Sequence, residues 1–167
     1  MRTGAEPAAD VLVFGTGFGT QNTVRFDVTG RRGLTFAEAW REGTQYYLGT
    51  VVSGFPHMFL MVGPNTGLGH NSQIVMIEAQ ARYIAALLRG MRRRGADTAE
   101  VRPEVQRAFD EWIGGRMAGT VWQSGGCRSW YQDPRSGRNT VLWPDTTTAF
   151  RQRTRRVRMT DYRLTRG

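Results

Sequence analysis

The sequence predicts a mixed α/β chain organised around one long helix, and three observations support this prediction. The run Phe59 to Val62 has the length and composition of a strand. The stretch 63–72 is rich in Gly, Pro and Asn, which predicts a tight turn. Beyond it, apolar residues recur at three-and-four spacing, as expected for an amphipathic helix. They are Ile74, Ile77, Ala81, Ile84, Leu88 and Met91.

The ends of this helix are marked by capping residues. Ser72 or Asn71 can cap the first turn, and Gly95 follows a run of arginines that complements the negative end of the helix dipole. Gly67 and Gly69 leave the approach to the first amide groups open, and free amides at a helix start favour an anionic ligand. A plain buried helix with a glycine entry is the alternative, and the turn alone does not separate the two.

Length and composition limit the class of protein. A chain of 167 residues holds one domain with a core, or a part of a larger one. Its hydrophobic fraction of 40% is typical of a folded protein. No apolar run approaches the roughly 20 residues of a membrane span, and no secretory signal is present, so we expect a soluble, cytoplasmic protein. The single cysteine, Cys127, cannot form an internal disulfide.

The charge is strongly basic, with a formal net charge of +9. Such a charge favours nucleic acid as a partner when the cations are clustered. All 23 basic residues are arginine, however, which indicates a bias along the whole chain. The densest run, Arg151 to Arg158, lies near no known nucleic-acid motif. A solvated surface is therefore the preferred interpretation, and nucleic acid is not expected as a partner.

The first part of the chain has one buried-strand pattern and several turns. The run Ala9 to Phe14 predicts a strand, and the glycine-rich stretch 15–20 after it fails as a dinucleotide fingerprint because its sixth position is Thr20. We expect extended chain over 24–28 and a turn at 30–33.

Four further elements follow. Thr35 and Glu38 predict a capping box for a short helix through Trp40. A strand is expected over 46–52, and a helix from Pro103 to about Met117. The remainder, 120–167, is predicted to be a loop-rich aromatic tail.

Catalytic residue types are scarce. His57 and His70 are the only histidines, and no acidic residue stands near them at metal-ligand spacing. Cys127 has no paired histidine nearby in sequence, so it is not expected to be a nucleophile. The residues themselves therefore predict a binding surface, with no metal site and no identifiable catalytic group.

Six motifs in a fixed order carry a family resemblance that covers nearly the whole chain. Over them the chain resembles the C-terminal part of the flavin-dependent Baeyer–Villiger monooxygenases, a class B flavoprotein family. The motifs are Asp10-Val-Leu-Val-Phe-Gly-Thr-Gly-Phe18, Gly54-Phe-Pro-His-Met-Phe59, Gly63-Pro-Asn-Thr66, Gly69-His-Asn-Ser72, Glu78-Ala-Gln80, and Gly126-Cys-Arg-Ser-Trp-Tyr131 with Trp143-Pro144.

The resemblance implies FAD and NADPH as cofactors and a monooxygenase that acts on a ketone or on a sulfur- or nitrogen-containing small molecule. The chain would be the closing part of a Rossmann-type FAD-binding domain, with one long helix and a loop-rich tail, forming one C-terminal unit over 1–167. No G-x-G-x-x-G stretch is present, so the pyrophosphate sites would lie upstream. We therefore expect an incomplete, inactive enzyme that lacks an N-terminal half or self-associates. The alternatives are a basic, non-enzymatic binding module and a folded remnant that acts through a partner.

The family's cofactor-binding roles transfer to nine positions. Gly15, Thr16 and Gly17 resemble a motif that ties the cofactor domains together. Residues of the glycine turn and the helix entry would lie by the isoalloxazine ring, and a tryptophan would donate a hydrogen bond to the NADP ribose. These residues are Pro64, Asn65, Thr66, Asn71, Ser72 and, for the ribose, Trp130. The sequence departs from the family at His57, where Asn is usual, and at Asp145, where Gly is common.

Overall fold

The computed structural model describes residues 8–15, 26–126 and 129–166. In these ranges the chain is a mixture of helices and two short strands, which confirms the mixed helix-and-strand class. The helices are α1 (Phe36–Ala39), α2 (Gln73–Arg93), α3 (Pro103–Ala118), α4 (Val121–Ser124) and α5 (Thr147–Thr154). The strands are β1 (Thr98–Val101) and β2 (Tyr162–Thr165), and 3-10 turns lie at Arg31–Gly33 and Met159–Asp161.

Helix α2 has the ends that its sequence predicts. The Ser72 hydroxyl accepts a hydrogen bond from the backbone N–H of Ile74 (3.3 Å), and Gly95 follows the helix with a φ of +59°. Glu78 and Arg82, one turn apart, form an ion pair of 3.1 Å. Among the described residues, no helix is both long enough and apolar enough to cross a bilayer.

The buried face of α2 is not the predicted one. The inner face, which packs on the core, consists of Met76, Ala79, Gln80, Tyr83, Leu87, Gly90 and Met91. The predicted stripe, apart from Met91, forms an outer face of Ile74, Ile77, Ala81, Ile84 and Leu88, all exposed or half-buried. Ile74 is 64% exposed and Leu88 45%. Periodicity was a poor guide because α2 is apolar on two sides.

Two of the predicted strands are wrong. Over 46–52 the chain makes a tight turn through Leu48 and Gly49, both at positive φ, closed by an isolated bridge between Tyr47 and Val51. Residues 59–62 are irregular, since the backbone N–H of Val62 donates to the Gln80 side chain (3.1 Å) rather than to a neighbouring strand. Tertiary hydrogen bonds have overridden local β-propensity at both places.

The predicted strand over 9–14 does not form either. It is irregular, and the side chains of its apolar core are mostly exposed: Val11 77%, Leu12 72%, Val13 85% and Phe14 79%. A strand needs a neighbouring strand to pair with, and neither of the two described strands pairs with this segment. The extended pattern at 24–28 falls partly outside the described residues, and 26–28 form no strand.

The short helices agree better with the sequence. Thr35 and Glu38 form the predicted capping box, in which the backbone N–H of Thr35 donates to the Glu38 carboxylate (2.8 Å). Helix α3 runs as predicted from Pro103, and it continues through Gly114 and Gly115 without a break.

The only strand pairing within the described ranges joins distant parts of the chain. β1 and β2 are antiparallel, with Thr98 opposite Thr165 and Val101 opposite Tyr162. This pairing, and helix α5, were missed by the sequence reasoning because four-residue strands and an arginine-rich helix carry no clear apolar period. The strand pairing attaches the end of the tail to the segment that follows α2, and α5 packs on α2 itself.

Candidate functional site

The glycine turn before α2 is held by a buried amide network. Asn65, which is 3% exposed, donates through Nδ2 to the carbonyl oxygens of Asn139 (3.0 Å) and Leu142 (2.5 Å). Its Oδ1 accepts a short hydrogen bond from the hydroxyl of Tyr46. Burial raises the pKa of Tyr46 well above its usual value, so this hydroxyl stays a donor. The Asn65 side chain thus fixes the turn to the tail.

Backbone pairing adds to this attachment. The N–H of Gly67 donates to Val141 O (2.8 Å), and the N–H of Trp143 donates to Gly67 O (2.8 Å). A Cβ on Gly67 would lie 2.8 Å from Val141 O, closer than real contacts allow. The space beside Gly67 is therefore filled by the tail, which corrects the prediction that this glycine keeps a ligand path open.

Gly69 is small for a similar reason. A Cβ there would lie 3.2 Å from the ring of Trp122. Trp122 meets Tyr131 edge to face, with ring centroids 5.8 Å apart, and Tyr131 packs on Trp130 at 4.0 Å. These three rings form an aromatic row that links the start of α2 to Trp130. Tyr131 belongs to the sixth sequence motif, whereas Trp122 lies outside the motifs and its contact with Gly69 was not predicted.

The entry to α2 is exposed at Asn71 and Ser72. Asn71 Oδ1 accepts from the N–H of Ser72 (2.7 Å), and its Nδ2 donates to Thr147 Oγ1 (3.1 Å), so the helix entry is tied to α5. We call the exposed surface formed by Gly69, Asn71, Ser72 and the aromatic row the helix-entry surface.

The predicted cofactor residues therefore fall into three groups. Asn71, Ser72 and Trp130, which is 43% exposed, lie on or beside the helix-entry surface. Gly15 is exposed and distant from other heavy atoms, and Thr16 and Gly17 lie outside the described residues. The rest are buried in the turn, namely Pro64, Asn65 and Thr66.

This arrangement suits one side of a flat, electron-rich cofactor. A helix start offers amide dipoles to a carbonyl or anionic edge, and exposed aromatic rings offer a face for stacking. The side chain of Asn65 already uses both of its donors internally, so the buried residues shape the turn from within. Within the described ranges no group of three or more His, Cys, Asp and Glu side chains could hold a metal ion.

Ion pairs attach the tail to α3. Two nitrogen atoms of the Arg138 guanidinium each donate a hydrogen bond of 2.9 Å to the Asp110 carboxylate. These hydrogen bonds raise the pKa of the guanidinium. Asp145 accepts from the N–H of Thr146 (2.7 Å) and pairs with Arg116, and these contacts lower the pKa of its carboxyl. The family departure at Asp145 thus coincides with an ion pair that joins the tail to α3.

Two curated proteins match the chain almost end to end. A Baeyer–Villiger monooxygenase of Pseudomonas aeruginosa is 43% identical over 163 residues, which are 97% of this chain and 31% of that protein. A Baeyer–Villiger monooxygenase of Streptomyces coelicolor is 46% identical over 165 residues, 98% of this chain and 32% of that protein. The chain spans about a third of the length of these relatives. No family model matches it.

A solved structure agrees in fold. Cyclohexanone monooxygenase from Rhodococcus sp. Phi1 bound to NADP+ superposes with a TM-score of 0.78 at 25% identity, over 95% of this chain and 30% of that one. The sequence identity, the order of the motifs and the fold all agree. The chain is therefore a homologue of one portion, about a third, of the Baeyer–Villiger monooxygenases.

Proposed function

We propose that this chain is the closing portion of the FAD domain of an FAD- and NADPH-dependent Baeyer–Villiger monooxygenase, and that it is inactive without the remaining two thirds. The observation that carries the proposal is the 43–46% identity to such enzymes along nearly the whole chain. The relatives also include FAD-binding monooxygenases. A cytoplasmic location stays a prediction.

In the whole enzyme, bound FAD and NADPH would supply the chemistry that places one oxygen atom into a ketone or onto a sulfur or nitrogen atom. This chain's own part would be binding and orientation. The first amides of α2, beside Asn71 and Ser72, would face the polar edge of the flavin, and the indole N–H of Trp130 would donate to the NADP ribose. The buried residues Pro64, Asn65 and Thr66 would hold the turn that positions these groups.

The exposed apolar surfaces support an incomplete unit. The outer face of α2 and the segment 11–14 expose large hydrophobic side chains that a finished domain covers. Residues 15–17 follow that segment directly, where the family motif would tie the cofactor domains together. We infer that the missing two thirds of the enzyme cover both surfaces.

The test is a chimera that joins this chain to the part of the Streptomyces coelicolor relative that it does not match. We expect the chimera to bind flavin stoichiometrically and to oxidise NADPH only when a ketone or an organic sulfide is present. The chain alone should be colourless, because the FAD pyrophosphate site of the whole enzyme lies elsewhere and contacts to one side of the flavin are too few to retain FAD through purification. A folded, monomeric chimera without flavin, or a yellow isolated chain, would contradict the proposal.

A further inference from the structure

A cavity lies where α5 packs on α2, and its lining includes none of the residues of the helix-entry surface. Its volume is about 400 Å³. One face of α5 lines it, because Thr148, Arg151 and Gln152 follow the spacing of successive helical turns, and Arg155, the residue directly after α5, continues the same face. Ala79 and Arg82 of α2 and the buried Thr154 complete the lining. Two helices thus bring three guanidinium groups to one concavity.

Most of this positive charge is not neutralised. Elsewhere in the described structure, Arg116, Arg135 and Arg138 each pair with an aspartate. Arg151 and Arg155 pair with no carboxylate among the described residues. The third cation, Arg82, pairs only with Glu78, and both side chains are more than half exposed. An anion in the cavity would relieve this repulsion.

Arg153, which is also on α5, makes its contact on another side of the helix. The guanidinium of Arg153 lies 3.6 Å from the centre of the Trp112 ring, where it makes a cation–π contact. Desolvation there lowers its pKa, which is the response of a charge that is packed against protein. Arg153 therefore contacts α3 and does not line this cavity, whereas Arg151 and Arg155 do.

A second concavity adjoins the first. It has a volume of about 730 Å³ and shares Gln152 and Arg155 with the first cavity. Its other lining residues are Arg153, Arg156, Val157 and Arg158. Arg155 therefore lines both hollows, so the cationic surface continues from the first cavity into the second.

We propose that this α2–α5 cavity binds a small molecule that carries a diphosphate group. Guanidinium groups match phosphate oxygens in a forked, two-bond geometry, and a cavity of this size is typical of small-ligand sites. Concave hollows at one helix crossing fit a compact ligand better than the continuous ridge of a nucleic-acid backbone. The proposal uses only residues of this chain, so it does not depend on the monooxygenase assignment.

The test is calorimetric titration of the chain with inorganic pyrophosphate at low ionic strength. The variant pair Arg151→Gln/Arg155→Gln removes two cavity charges. The matched control, Arg89→Gln/Arg107→Gln, removes two exposed charges elsewhere on α2 and α3. We expect the first pair to weaken binding at least about tenfold and the control by no more than about twofold. Equal losses would mean diffuse attraction by the net charge and would overturn the proposal.

Further binding experiments test the α2–α5 cavity. Glu78→Gln frees Arg82 from its ion pair, so pyrophosphate should bind about twofold to threefold more tightly, and weaker binding would contradict the proposal.

The choice of ligand identifies the source of the diphosphate group. Adenosine diphosphate should bind and adenosine should not, which would indicate a nucleotide ligand. Binding of pyrophosphate alone would indicate a free diphosphate. Tighter binding of duplex DNA, lost through the same two arginines, would replace the proposal with a nucleic-acid surface. All substituted side chains are exposed, and thermal unfolding checks that each variant folds.

Discussion

The inner and outer faces of α2 are similar in apolar character but differ in what covers them. On the inner face, Met76, Tyr83 and Leu87 are almost fully buried by other parts of this chain. On the outer face, Ile74 and Leu88 remain exposed. Exposed apolar patches can mark interaction sites, so the outer face is a candidate contact surface. The comparison indicates that the chain completes its own core but not the surroundings of its central helix.

The largest expected effect separates two adjacent leucines. Leu87 is 0% exposed and Leu88 is 45% exposed, so they are a matched pair, one on the inner face and one on the outer face. Leu87→Ala should lower the free energy of unfolding by about 2–5 kcal/mol because it leaves a cavity in the core. Leu88→Ala should change it by no more than about 0.5 kcal/mol. Urea unfolding of both variants tests this, and similar losses would remove the distinction between the faces.

The second prediction concerns the outer face alone. If that face makes the chain self-associate, Leu88→Glu should raise the dissociation constant of the oligomer at least about tenfold, because burying a leucine contributes about 1.5–3 kcal/mol. Sedimentation velocity over a concentration series measures the effect. Ala108→Glu, an equal change of charge at an exposed position of α3, is the control. A chain that is monomeric before any substitution would argue against an uncovered interface.

The third prediction returns to the inner face, where the hydroxyls of Tyr83 and Tyr162 lie 2.6 Å apart. Burial raises the pKa of both groups above the ordinary value of 10.0. Their stabilising contribution is complete below pH 10, and it is lost at higher pH because only the unfolded chain then releases these protons.

The free energy of unfolding should therefore fall above pH 10 by up to about 1.4 kcal/mol per pH unit for each buried tyrosine. Tyr83→Phe removes one of these groups, so the slope between pH 10 and 12 should become shallower by about that amount. Urea unfolding across this range measures it. Parallel curves for the two proteins would show that Tyr83 does not stay protonated in the folded chain.

The smallest expected effect tests a surface that belongs to neither face. In the chimera with the Streptomyces coelicolor segment, Trp130→Phe keeps most of the packing on Tyr131 and deletes the indole donor. One lost neutral hydrogen bond is worth about 0.5–1.5 kcal/mol, so the NADPH dissociation constant should rise by at most about tenfold, with flavin content unchanged. A lower melting temperature with unchanged NADPH affinity would assign Trp130 to packing alone.

Local signals in the sequence were reliable where one short stretch contains all of the interacting groups. The capping box of Thr35 and Glu38 and the cap at Ser72 were predicted and are present. These hydrogen bonds join residues within one turn, so no distant part of the chain can displace them. For the candidate site, the helix entry and Trp130 came from motifs, and their roles as cofactor contacts stay predictions.

Distant contacts decided the rest. The runs 46–52 and 59–62 have strand composition, yet Gln80 of α2 binds the carbonyls of Gly49 (2.9 Å) and Leu60 (3.3 Å) and so keeps both segments irregular. Nothing in a local window indicates that a glutamine 20 residues from Leu60 and 31 residues from Gly49 replaces a neighbouring strand. Trp122 is part of the helix-entry surface through a distant contact as well, because its ring lies beside Gly69 only when the tail folds back.

By itself, the sequence determined the extent of α2, the caps of the helices and the family resemblance, because each depends on residue types at fixed short spacing. Only the tertiary structure decided which face of α2 is buried, that Gly67 and Gly69 are small to admit Val141 and Trp122, and that α5 turns two unpaired arginines toward α2. An apolar stripe on a helix does not specify which part of the structure will cover it. Packing chooses among equivalent surfaces by the free energy of the whole arrangement, which no local pattern contains.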